Sequence, residues 1–238
     1  MTKIKFNKKK HTYKIGDKEL MSVTKWCGQF FEEFDAKAVA RKLAKFPVNR
    51  ANKRGVRYWL NQWKESAEHG TRVHKALEEY ILNGKAGTVG ELDGAKFEAG
   101  VDYIDWLRTN FGQELTLEVE KIIYDEELGL AGTVDCVLSH KKHIRIIDWK
   151  TNKQISKTGN PKTLCPNIMG DGNLSKYELQ LNMYAYMLSR QGYFIESLRV
   201  VHLLDDGSYK EYDITFKPEL VEGLLEVKNA KCTTCIQD

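Results

Sequence analysis

The sequence predicts an α/β fold, and three observations predict it. Two runs rich in Val, Ile and Leu, at 130–138 and 144–149, flank the polar turn Ser139-His-Lys-Lys-His143, which is the pattern of a β-hairpin. Apolar residues at helical spacing stand before it (Val73, Leu77, Tyr80, Ile81), and a helical stretch from Tyr177 to Arg190 stands after it. Strand-like runs at 195–204 and 209–216 then close the pattern.

Taken in order, residues 3–21 read as short strands with a turn at Ile15-Gly16-Asp17-Lys18. Ser22 or Thr24 caps a helix through Trp26 and Phe30. Asp35 opens a helical pattern from Ala36 to Phe46, which Pro47 ends. Residues 49–64 are helical, with Tyr58, Trp59 and Trp63 among basic residues. Such aromatics either stack on unpaired bases or form the buried side of an amphipathic helix. Ser66 starts a helix over Ala67–Leu82, in which Gly70 leaves room for close backbone approach. His74 borders its apolar stripe, and Thr71 precedes it by one turn. After a loop at Gly84–Gly90, Glu91–Phe111 is a helix that Gly112 stops. Leu115–Tyr124 is a strand, and Asp125–Gly129 turns into the 130–138 run. The stretch Gln154–Lys176 reads as a long loop, and its position suits a role in covering substrate. Pro218 begins a last helix to about Asn229. Neither a repeat nor a linker interrupts the chain, so residues 1–238 read as one domain. Within it, 1–65 form an N-terminal hairpin and helical cap, 66–204 the core, and 205–238 a C-terminal strand and helix.

Composition narrows the function classes. Hydrophobic residues at 42% and charged ones at 29% suit a globular protein rather than a disordered one. Neither a membrane-length apolar run nor a signal-peptide core is present, so an intracellular protein is expected. Five cysteines in such a chain argue against a disulfide framework, and Cys136, inside an apolar run, reads as core. The net charge of +4 says little, but its distribution says more. Lys3 to Lys10 and Arg41 to Lys64 concentrate the basic residues, as a polyanion partner or a solvated helix face requires.

The hairpin carries the chemistry. Successive strand side chains alternate, so Asp148 and Lys150 share a face and Trp149 takes the other. Pairing the two runs brings Asp135 beside Asp148. Two neighbouring carboxylates repel unless a cation lies between them, and a divalent hard cation meets that need. The Trp149 carbonyl adds a third oxygen, and Lys150 stands where it can orient or deprotonate a water. The bland alternative is a surface Asp–Lys ion pair.

Four motifs fall in order: Gly-Thr-Arg-Val-His at 70–74, Ala-Gly-Thr-Val-Asp at 131–135, Ile-Asp-Trp-Lys-Thr at 147–151 and Gln-Leu-Asn-Met-Tyr at 180–184. On these residues the sequence resembles the PD-(D/E)XK nuclease superfamily, in its RecB-like exonuclease branch. His11-Thr-Tyr13 and Ser22-Val-Thr24 are similar to the N-terminal hairpin of its phage and mitochondrial members. The resemblance implies a restriction-endonuclease-like core, a mixed central sheet flanked by helices. It implies that Asp135 and Asp148, with the Trp149 carbonyl, hold one or two Mg²⁺ or Mn²⁺ ions, and that Lys150 is the catalytic lysine. Asp148 stands where many relatives have Glu. His74 is implied as a metal ligand or a phosphate-orienting residue. Gln180 is implied to steady Lys150 or the DNA, and Tyr184 to contact DNA or the catalytic groups. Glu120 is expected to complete a second metal site from the strand before Asp135, although Glu118 has the same strand parity and spacing alone does not choose. Nucleic-acid contacts are expected from Arg54, Arg57, Tyr58, Trp59, Thr71, Thr151, Lys153, Gln180 and Tyr184.

The implied activity is divalent-metal hydrolysis of DNA phosphodiester bonds, from ends with single-stranded character, in replication, recombination or repair. The alternatives are a structure-specific endonuclease and a non-catalytic binding module of the same fold. Some relatives carry a four-cysteine iron–sulfur cluster. Here Cys232-Thr-Thr-Cys235 has ligand-like spacing, but a third cysteine after the Gln-x-x-x-Tyr motif is missing and Cys165 is elsewhere, so no cluster is expected.

Overall fold

The chain begins with three short strands, β1 (Lys5–Asn7), β2 (Thr12–Ile15) and β3 (Lys18–Ser22). These and the elements below come from a computed structural model of the chain. It describes residues 4–8, 10–84, 94–111 and 115–234, with side chains to residue 227. The expected Lys3, Lys9, loop 85–90, first helical turn at 91–93, helix stop at Gly112 and ligand-spaced Cys235 lie outside the described residues, as does the Cys232 side chain.

Ser22 accepts a hydrogen bond from the Lys25 N–H at 3.2 Å and caps α1 (Val23–Gly28), so it takes the role that Thr24 shared with it in the sequence. Asp35 does the same for α2 (Ala36–Lys45), accepting from Ala38 N–H at 2.8 Å. Pro47 follows α2, as expected, and also opens α3 (Pro47–Ala51). A proline at the first helical position loses no intrahelical bond.

The next element departs from expectation. Residues 49–64 and 67–82 are not two helices with a start at Ser66. From Val56 to Asn83 the chain is one 28-residue helix, α4, which runs through the expected boundary between cap and core. No proline interrupts that stretch, and Ser66 faces outward in mid-helix. Gly84, left-handed at φ 66°, ends it.

Then come α5 (Gly94–Phe111), β4 (Thr116–Asp125), β5 (Leu130–His140), β6 (His143–Lys150), α6 (Gly172–Arg190), β7 (Phe194–Leu203), β8 (Tyr209–Ile214) and α7 (Pro218–Thr234). α6 begins at Gly172, so the expected loop to Lys176 is shorter than read. The hairpin closes through Lys141 and Lys142, with Lys141 left-handed at φ 54°.

The eight strands form one mixed sheet, in the order β1-β2-β3-β5-β6-β7-β8 with β4 also on β5. β3–β5 and β6–β7 are parallel and the remaining pairs antiparallel. β4 runs along one edge of β5. The other edge is shared: β3 meets Leu130 and Ala131, and β6 meets Cys136 to His140. Gly132 to Asp135 therefore sit in a fork where β5 has no strand on that edge. Helices cover both faces. Ile144 and Ile146 of β6 pack in the cluster formed with α1 and α6, while Ile147 and Trp149 pack with α4 and α5. Each such buried aliphatic side chain contributes about 1.5–3 kcal/mol. Cys136 is fully buried, as its apolar run predicts.

Candidate active site

The hairpin register places the acidic groups. Cys136 pairs with Ile147, so Asp135 and Asp148 stand opposite each other one step further, at the mouth of the fork. The antiparallel ladder stops there, and Asp135 Oδ2 accepts the Trp149 backbone N–H at 2.9 Å in its place. Asp148 and Lys150 share a face, as predicted, and form an ion pair. Trp149 points to the other face and packs on Tyr103, with ring centres 5.6 Å apart. The alternative, a pair of surface charges, is not what forms: Asp148 is only 5% exposed.

Buried charge of one sign is costly without compensation. Burial pushes the Asp135 carboxyl up, but His74, whose Nδ1 lies 3.5 Å from Oδ1, overcomes this together with Lys150 and the Trp149 N–H, and holds it below its ordinary range. Burial pulls the His74 imidazolium down, and the Asp135 carboxylate reverses that. Asp148 is held above the ordinary carboxylate range, by burial first and by Asp135 as well, against the pull of Lys150. Glu120 is raised by burial, Asp135 and Glu78.

Strand parity left Glu118 and Glu120 equal, and the backbone separates them. Glu120 stands opposite Asp135, between the pairs Val119–Cys136 and Lys121–Val134. Its φ of 48° is left-handed, which breaks the alternation at this residue. Glu120 lines the site, whereas Glu118 forms an ion pair with Lys121 at 2.5 Å.

Two cavities flank this wall. A groove of about 640 Å³ is lined by His74, Glu120, Trp149 and Lys150, with Thr71 and Thr151. A smaller cavity of about 170 Å³ lies beyond Asp135 and holds Glu120, Gln180 and Tyr184. Tyr184, expected to contact DNA or the catalytic groups, is buried behind Asp135. It donates to the Thr133 carbonyl at 3.1 Å inside the fork, and Gln180 donates to its hydroxyl at 3.3 Å. The tyrosine thus supports the strand that carries Asp135. Thr133 is held from the other side as well, by Tyr13 at 2.8 Å.

Two glycines make this geometry sterically possible. A Cβ on Gly132 would lie 2.5 Å from Tyr184 Cε1, and one on Gly70 would lie 2.8 Å from Thr151 Oγ1. Gly70 thereby lets α4 bring His74 against the strand ends.

A second groove, about 830 Å³, runs beneath the cap and is lined by Arg54, Tyr58, Trp59, Thr151 and Lys153, among others. Trp63 and Ser66 line both large grooves, which therefore adjoin. Arg57 is exposed and lines neither, so it is not brought to the site.

Residues that the sequence did not single out also converge. Lys96, almost fully buried, donates to the Thr151 carbonyl at 2.6 Å and pairs with Asp205 at 2.9 Å. His202 Nε2 donates to the Asn152 carbonyl at 2.5 Å. Together they pin the chain just after Lys150. Tyr177 lies under Lys150, its ring centre 4.7 Å from Nζ. Its signal was readable, since it precedes Gln180 by three residues and Tyr184 by seven.

A divalent ion fits the donor set. Among the described residues, Asp148 Oδ2 accepts no hydrogen bond beyond its ion pair with Lys150. The Asp135 carboxylate stands beside it, Glu120 faces Asp135 from β4, and hard carboxylate oxygens are what Mg²⁺ and Mn²⁺ prefer. No three His, Cys, Asp or Glu side chains among the described residues are already gathered as a cage.

Residues 96–203 match the family model of the PD-(D/E)XK nuclease superfamily. That range contains Glu120, Asp135, Asp148, Lys150, Gln180 and Tyr184, and the eight-stranded mixed sheet is the restriction-endonuclease-like arrangement. No curated protein sequence matches the chain. Among solved structures, it is similar to a protein from Eubacterium rectale assigned as an exonuclease, at 12% identity and TM-score 0.42, covering 93% of this chain and 82% of the other. It is also similar to the alkaline exonuclease of Laribacter hongkongensis, at 14% identity and TM-score 0.33, covering 90% and 94%. A phage-related exonuclease from Haemophilus somnus gives 10% identity and TM-score 0.31, covering 83% and 91%. At these scores the likenesses carry nothing about substrate.

Proposed function

We propose that this chain, with a nuclease core of the PD-(D/E)XK superfamily over residues 96–203, is a Mg²⁺- or Mn²⁺-dependent deoxyribonuclease. It acts on DNA ends with single-stranded character, in replication, recombination or repair. One observation carries the reading: adjacent strands bring Asp135, Asp148 and Lys150 together at the mouth of a fork, beside a groove that Lys150, His74 and Glu120 line.

Each residue has a task that its position supports. Asp135 and Asp148, joined by Glu120, would hold one or two ions. When bound, such an ion would neutralise charge on the reacting phosphate and acidify a water. Lys150, beside Asp148, would meet the developing negative charge. His74 would hold Asp135 in its ionised form and orient it. Tyr184 and Gln180 would fix the strand under Asp135. The cap groove, with Arg54 and Lys153 beside Tyr58 and Trp59, suits a backbone held electrostatically and bases stacked on rings. Arg54 already lies over the Tyr58 ring at 5.5 Å. Aromatic rings along one wall of the groove suit unpaired bases better than an intact duplex. Among the described residues no helix is long and apolar enough to cross a membrane.

A time course with 5′- and 3′-labelled single- and double-stranded oligonucleotides tests the reading. Cleavage is expected with Mg²⁺ or Mn²⁺, to stop with EDTA, and to give mononucleotides or short products from one end. Circular single-stranded DNA degraded as fast as linear DNA would instead make the chain an endonuclease. Activity that survives both EDTA and Asp148→Ala would remove the metal-nuclease account.

A further inference from the structure

We infer that Tyr177 is a positioning residue for Lys150: its ring face is the seat on which the ammonium rests when Asp148 is engaged elsewhere. The inference rests on the nuclease reading and adds to it a residue outside the four motifs.

The ammonium has two partners of different kinds. On one side is the Asp148 carboxylate and on the other the Tyr177 ring, with Nζ 4.7 Å from its centre. Such a contact is worth most where water is excluded, and the Lys150 side chain is only 17% exposed. The two partners do not persist equally. Lys150 pairs with Asp148 Oδ2, and if that oxygen turns to a divalent ion the pairing seen here is weakened. The ion's positive charge would also push the ammonium away. The aromatic face does not compete for the ion, so its hold on Lys150 survives. A lysine with four rotatable bonds and no remaining anchor would otherwise leave the groove at a cost in side-chain order.

The fold makes the ring a fixed platform. Tyr177 projects from α6 on the face that carries Gln180 and Tyr184, whose hydroxyl is tied to Thr133 in the fork. The same helix face therefore sets both the strand under Asp135 and the position of Lys150. Tyr177 also lines the larger groove, which places its ring at the wall where the lysine must work.

The feature that does this is the aromatic face, not the hydroxyl. Lysine selectively labelled with ¹³C at Cε gives the first readout, on the whole chain without metal or DNA. The Lys150 ε-methylene protons, assigned by their loss in Lys150→Met, should lie upfield of the other lysines because of the ring current. That shift should vanish in Tyr177→Leu and return in Tyr177→Phe. Kinetics gives the second readout. Tyr177→Leu should lose about tenfold or more in kcat with KM within about twofold, and Tyr177→Phe should recover most of that loss. A wild-type lysine without the upfield shift would overturn the contact. A phenylalanine variant as slow as the leucine one would overturn the ring's role, as would a loss that falls on KM alone. Failure of the wild-type chain to cut any nucleic acid would sink the nuclease reading, and the ring shift would still decide the contact.

Discussion

The two ends of the β5–β6 hairpin are built from the same kind of residues and do opposite things. At the turn end the ladder is complete to His140 and His143, and the charges there face water. Arg145 pairs with Glu196 at 2.7 Å and lies over Phe111 at 4.3 Å, and His143 also reaches Glu196, at 2.9 Å. At the fork end the ladder opens, β3 and β6 part, and the charges are buried. Among the described residues, no buried polar side-chain atom at the turn end is left without a partner. The fork end leaves Asp148 Oδ2 without a hydrogen bond beyond its ion pair and raises the proton affinity of Asp148 and Glu120. The candidate chemistry thus collects where the sheet stops pairing with itself and side chains complete the strand.

Substitutions at the fork should cost activity, and those at the turn should not. Asp148→Asn and Lys150→Met should each lower cleavage by about a thousand-fold or more, with an unchanged circular dichroism spectrum. A loss under tenfold in either would mean that the fork is not the reacting centre. Gly132→Ala should be milder, because its methyl group must displace the buried Tyr184 ring. We expect about 1–3 kcal/mol of destabilisation in denaturant titrations and a parallel loss of activity. An unperturbed melting curve would show that the fork tolerates movement.

A pH test compares the fork with the sheet edge beside it. Asp125 is pushed up by burial but is held below its ordinary range by Arg190, at 2.7 Å, and by the Leu128 and Glu127 N–H groups. A carboxyl with a depressed folded pKa stabilises the fold above its unfolded value, about 3.9, and loses that contribution as pH falls through the folded value. Arg190→Met should therefore cost about 1 kcal/mol at neutral pH, and the gap from wild type should close below about pH 4. A gap that stays constant down to pH 2 would contradict the assignment. The smallest effect belongs to the turn end. Arg145→Ala or Glu196→Ala should change stability by less than about 1 kcal/mol and leave cleavage unaltered.

Much of this was legible in the sequence. The Val-Ile-Leu runs and the short basic turn define the hairpin, and a two-residue side-chain period sets Asp148 and Lys150 on one face. Spacing also put Gln180 and Tyr184 on one helix face. What stayed hidden depends on contacts between distant segments. The Tyr13–Thr133 bond spans 120 residues, and the burial of Lys96 against Thr151 spans 55. Glu118 and Glu120 cannot be separated by parity, because parity does not foresee the left-handed backbone at Glu120. Ser66 resembles a helix cap, but capping needs a chain that arrives extended, and here it arrives as helix. Tyr184 looks like a ligand contact in sequence, and only the fork explains why a tyrosine must be buried there.

Asp135 and Asp148 are proposed to hold a divalent cation between β5 and β6. Calorimetric titration of the metal-free protein with Mn²⁺ measures this without any substrate. Wild type should bind one or two ions, and Asp135→Ala and Asp148→Ala should each abolish at least one of those binding events while keeping the fold. Equal binding by wild type and both variants, or no binding by any of them, would contradict the account.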